Sequence, residues 1–132
     1  MIKQDYLIRM IQDIIALLVN VILNKKKLRQ SEWSEYDNLT LRILGFSTEE
    51  LLHTDAEMLK LKYESDANSF EKLELAAMYQ LRLADSLKDD SLVYRSKLRY
   101  EALQLLKYIQ EKGDTFSLPR LQIIHLLENE VG

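Results

Sequence analysis

The chain contains no cysteine, which excludes disulfides, thiolate-bound metals and a cysteine nucleophile. Proline occurs once and glycine three times, late in the chain or where helices are expected to end. Three scattered glycines cannot form a phosphate-cradling loop, and no Walker, G-x-G-x-x-G or G-x-S-x-G string occurs. A cationic excess is also missing: 18 Lys and Arg stand against 21 Asp and Glu, a net charge of −3. That balance argues against a nucleic-acid binder whose affinity rests on phosphate neutralisation. No stretch alternates apolar and polar residues between turn signals, so no strand is expected.

What remains is 132 residues with 47% hydrophobic character, rich in Leu, Glu, Lys and Gln. This predicts one all-α domain over 1–132, a bundle or array of about six or seven helices. The most apolar stretch, Asp5 to Asn24, is expected to be a long N-terminal helix forming the buried spine of the fold, within a segment 1–28. At 100° per residue, Leu7, Met10, Ile11, Ile14, Ile15, Leu18, Val21 and Ile22 make a wide apolar face, with Asp5, Arg9, Gln12, Asp13, Ala16 and Asn20 opposite. Asp5–Arg9 and Arg9–Asp13 stand four apart and can pair along the polar stripe. Leu17, Val19 and Leu23 point to the flanks, beyond what one layer of helices covers, and are the expected self-association residues.

Charges before this run and the lack of a small-residue cleavage pattern argue against a signal peptide. The uncharged part, Ile14 to Asn24, reaches about 16 Å, short of a bilayer's hydrocarbon core. A cytoplasmic location is expected. Lys25, Lys26, Lys27 and Arg29 follow the helix and suit the negative end of its dipole. A contact with anionic lipid is the alternative for the same cluster.

Residues 29–65 read as short stepped helices. Ser31 is expected to cap one that ends at Gly45, and Ser47-Thr48-Glu49-Glu50 and Thr54-Asp55-Ala56-Glu57 form two capping boxes seven residues apart. Residues 66–132 read as a helical hairpin plus a final helix. Its first arm runs from about Ser69 to Lys88, with small residues Ala76, Ala77 and Ala84, and its second from about Leu92 to Lys112. Asp89-Asp90-Ser91 supplies N-cap chemistry between them, Gly113 closes the second arm, and Pro119 sits in the first turn of the last helix. The short link makes the two arms antiparallel.

The string Asp5-Tyr6-Leu7-Ile8-Arg9-Met10-Ile11, with a second helix ending Ile43-Leu44-Gly45-Phe46, resembles an uncharacterised bacterial family of short helical proteins, a domain of unknown function. The resemblance implies a C-terminal part similar to tetratricopeptide repeats. Tyr100-Glu101-Ala102-Leu103, with Leu106 and Ile109, looks like the second helix of such a repeat, whereas Asp89 and Asp90 fall where its first helix would carry Leu and Gly. No catalytic or groove residue transfers.

Chemistry is sparse. His53 and His125 lie in separate helices without metal-ligand spacing, so no metal and no cofactor is expected. The carboxylate pairs Glu49-Glu50 and Asp89-Asp90 sit at helix starts, where capping explains them. Seven tyrosines are present. Tyr79, Tyr94, Tyr100 and Tyr108 fall on the hairpin, either as core edge with wet hydroxyls or as a partner surface. The expectation is a non-enzymatic helical scaffold that binds protein and forms a homo-oligomer, a dimer, with a peripheral membrane protein as the alternative and an enzyme or small-molecule binder as the third reading.

Overall fold

The computed structural model describes residues 4–87 and 91–131 of the chain. The described residues form seven helices and no strand: α1 (Gln4–Asn24), α2 (Gln30–Leu44), α3 (Thr48–Leu52), α4 (Ala56–Lys62), α5 (Ser69–Ser86), α6 (Leu92–Lys112) and α7 (Leu118–Val131). The all-α bundle with a long apolar N-terminal helix is as the composition and periodicity predict.

Local chemistry fixes the boundaries. Ser47 and Glu50 close a reciprocal capping box at the start of α3: the Glu50 N–H donates to Ser47 Oγ at 3.1 Å, and the Ser47 N–H to Glu50 Oε1 at 3.0 Å. Two caps fall one or two residues from their expected places. The α2 N-cap is Arg29 rather than Ser31, its N–H donating to Glu32 Oε1 at 3.2 Å. The α4 N-cap is Asp55 rather than Thr54, its carboxylate accepting from the Met58 N–H at 2.8 Å. A carboxylate outcompetes a hydroxyl for the dipole's positive end. The α1 stop is made by a lysine: Lys25 takes φ 56, a left-handed turn usually left to glycine.

The two described glycines work differently. Gly45 ends α2 at φ 76 and donates to the Leu41 carbonyl at 2.8 Å, a left-handed cap. Gly113 ends α6 with an ordinary φ of −74, and there a Cβ would lie 2.6 Å from the Ile109 carbonyl oxygen. Its need is space, not handedness. Lys88, Asp89 and Asp90 lie outside the described residues, so the capping role given to the aspartates does too.

Helices α5 and α6 are antiparallel: Arg99 pairs with Asp85 at one end, and Tyr108 stacks on Phe70 at the other. On one side of this hairpin lie α1 and α7. Helix α7 returns antiparallel to α6, with Arg99–Glu130 and Lys107–Glu128 ion pairs. Helix α1 runs parallel to α5 and α7: Ile15 lies near Phe70 and Arg120, and Ile22 near Leu81 and Leu127. Helix α2 packs against α5 and also touches α1, while α4 runs alongside α6, with Ala56 bonded to Glu101 and Lys60 over Tyr108.

The middle position makes α5 the spine. Seven consecutive residues, Leu75 to Leu81, are buried, and Ala76, Ala77 and Ala84 are fully enclosed. This corrects the expectation that α1 is the spine. Only Ile11, Ile14, Leu18 and Ile22 of α1 are buried, because α1 lies at the edge and meets the core along one seam. Asp5, Arg9 and Asp13 are exposed as expected, and among the described residues no ion pair joins them.

Candidate interaction surfaces

Sequence reasoning marks two surfaces, the flanks of α1 and the hairpin tyrosines. The structure divides each.

Val19 and Leu23 rest on the chain's own hydrophobic core. Leu17, half-buried, lies on the other flank of α1, so the three expected self-association residues do not form one patch. At 100° per residue, Leu17 shares its flank with Tyr6, Met10 and Val21. Tyr6 is 60% exposed, and Met10, Leu17 and Val21 are half-buried. Ile15, on the other flank, faces Arg120 of α7. The Tyr6–Val21 line therefore looks away from α7, an apolar ridge along the flank of α1 opposite Ile15. By length and composition the 20 residues Asp5–Asn24 are also enough to cross a membrane, further than the uncharged run alone suggests. Four of the residues in this helix belong to the folded core, which is compatible with a soluble protein.

Tyr79 is 2% exposed and is not a surface residue. Its hydroxyl sits against the Asp37 carboxylate of α2, and burial together with that negative charge pushes the phenol up to about 12. Arg82 completes the contact, with its guanidinium 3.8 Å from the Trp33 ring centroid and 3.7 Å from the Asp37 carboxylate. Burial pushes the Asp37 carboxyl up, against the pull of Arg82. This cluster glues α2 to α5. The arginine partner of Trp33 stands 49 positions on, a distance no local pattern bridges. Tyr63 works similarly: buried, it donates to the Leu44 carbonyl at 2.5 Å and satisfies the end of α2.

The other three tyrosines line one side of α6. Tyr94 is 44% exposed and meets His53 edge-on, with ring centroids 6.0 Å apart. Tyr100 is 51% exposed. Tyr108 is half-buried between Phe70 and the Lys60 ammonium, which lies 4.4 Å from its ring centroid. The tyrosines divide: Tyr79 is core, and Tyr94 and Tyr100 are exposed.

Two groups escaped the sequence reading. Arg120, 4% exposed, is bound by Glu74 at 2.5 Å, by the Gln110 side chain at 2.8 Å and by the Thr115 carbonyl at 3.0 Å. It ties α7 to α5 and α6 beside a cleft of about 150 Å³. Gln80 is fully enclosed in α5, and neither its amide nitrogen nor its oxygen has a hydrogen-bond partner. A glutamine in an otherwise ordinary helical pattern gave no sign of this. His53 caps α3 in the open and His125 is exposed. Among the described residues no group of three or more His, Asp or Glu is placed to hold a metal ion.

No protein-family model, curated protein or solved structure matches the chain. The functional reading therefore stands on these surfaces.

Proposed function

We propose that this chain is a non-catalytic, cytoplasmic helical interaction protein that self-associates as a dimer through α1. The supporting observation is the ridge of Tyr6, Met10, Leu17 and Val21 on the flank of α1 opposite Ile15. A line of apolar side chains at helical spacing that the chain itself leaves half open is the geometry of a helix–helix seam between subunits. A two-fold contact would place α1 against its own copy.

Light scattering across a concentration range tests the reading. The wild-type chain is expected to pass from monomer to dimer, and Met10→Glu with Leu17→Glu is expected to stay monomeric with its helical circular dichroism unchanged. A wild-type chain that is monomeric at every concentration defeats it. The membrane alternative draws on the apolar length of α1 and on the exposed Lys25, Lys26 and Lys27 behind it. It requires α1 to leave the core, so flotation with anionic liposomes that is lost on Lys→Glu substitution would favour it instead.

A further inference from the structure

Two clefts, of about 250 and 300 Å³, lie along α4 and share Glu57 and Lys60, so they form one groove. The first is walled by Tyr100 and Glu101 of α6, and the second runs on to Tyr108, Phe70 and Leu61. From Tyr100 to Tyr108 the groove extends about 12 Å along the helix axis, room for about two turns of an incoming helix.

Its charge is one-sided. Asp55, Glu57, Glu64 and Glu101 line it against a single cation, Lys60. The nearby lysines are engaged elsewhere: Lys107 with Glu128 of α7 at 3.4 Å, and Lys97 with the Leu52 carbonyl at 3.4 Å. Lys60 itself shows what the groove does with an ammonium. It is held 4.4 Å from the Tyr108 ring centroid while Glu57 Oε1 accepts its proton at 2.9 Å. A tyrosine face with a carboxylate beside it is a favourable seat for Lys or Arg. Tyr100, half in solvent, lines the groove with Glu57 and with Glu101, whose Oε2 accepts the Ala56 N–H at 2.7 Å, and among the described residues no cation lies over its ring. In the second cleft, beside Phe70 and Glu64, Leu61 is 70% exposed.

We propose that the α4–α6 groove is the docking site for a basic amphipathic helix of a partner protein. One Lys or Arg of the partner sits over Tyr100 between Glu101 and Glu57, a second meets Glu64, and an apolar side chain between them packs on Leu61 and Phe70. The proposal names the partner class for the interaction reading above and rests on it, but it makes no use of the α1 ridge.

The test is fluorescence anisotropy with a labelled helical peptide of lysine and leucine at amphipathic spacing, and with its counterpart carrying glutamate at every lysine. The basic peptide is expected to bind and the acidic one not. Reversing groove charge with Glu57→Lys and Glu64→Lys is expected to weaken binding about tenfold or more, and Tyr100→Ala about fivefold, with circular dichroism unchanged. Asp13→Lys with Glu35→Lys, an equal charge change outside the groove, is expected to leave the affinity within about twofold. Equal binding of both peptides, no binding of the basic one, or an equal loss in the distant variant overturns the proposal. If the basic peptide fails while light scattering still shows the α1 dimer, the groove assignment falls and the self-association reading stands.

Discussion

Helices α1 and α5 are both long and both touch the core, yet they are built to opposite rules. Helix α1 is the more apolar by sequence and buries one seam, Ile11, Ile14, Leu18 and Ile22. Helix α5 carries Glu71, Lys72, Glu74, Arg82 and Asp85 and still has Leu75 to Leu81 buried without interruption. Position decides the difference. Helix α5 has α1, α2 and α6 packed against it, so even its charged residues are recruited: Glu74 by Arg120 and Arg82 by Asp37. Helix α1 sits at the edge, and its surplus apolar residues have no equivalent cover. Hydrophobicity sets how much a helix gains from burial; neighbours set how much burial it gets.

The strongest test of this contrast is Leu75→Ala, which empties a fully enclosed position in α5 and is expected to cost about 3–4 kcal/mol in chemical denaturation. Arg120→Ala follows closely. Leaving Glu74 without its cation in the α5–α7 contact is expected to cost about 3 kcal/mol, and Arg120→Met with Glu74→Leu should recover most of it.

A smaller effect is expected from Tyr79→Phe, about 1 kcal/mol near neutral pH. The sign of its pH dependence follows from the raised phenol. The contribution of neutral Tyr79 is complete below the ordinary tyrosine value of 10 and is lost as pH rises toward its folded value of about 12. In that window the Phe variant should lose less stability than the wild type in denaturant midpoints read against pH. Tyr63, whose phenol burial also pushes up, adds to the alkaline loss.

The smallest folding effect is expected at the edge helix. Leu17→Ala should cost under about 1 kcal/mol, because its site is only half covered. A cost matching that of Leu75→Ala would erase the distinction between the two helices. The same substitution should weaken self-association measured by light scattering, so that folding and assembly separate at one residue.

Helix boundaries were the most legible feature. Ser47 with Glu50, Gly45 after α2 and Pro119 in α7 act through groups within a few residues of themselves, and such signals are local. Where a cap slipped, at Ser31 and Thr54, a nearby carboxylate took over, Glu32 for α2 and Asp55 for α4. The surfaces were less legible. The wheel identified a helix with more apolar residues than one seam needs, but it could not assign flanks. Val19 and Leu23 came to rest against the core once α1 lay parallel to α5 and α7, and Leu17 fell on the other side. The tyrosines divided for the same reason: Tyr79 and Tyr100 are alike in sequence, and only the packing of α2 on α5 encloses the first.

By itself the sequence determined the fold class, the helix limits and the absence of any cysteine-based chemistry. Those follow from composition, period and capping, which act over a turn or two of chain. The tertiary structure alone decided which helix is the spine, which apolar ridge stays open and which carboxylates share a groove with Tyr100 and Tyr108. Each of these depends on residues tens of positions apart meeting at one surface, and burial and local charge are properties of that meeting rather than of either residue.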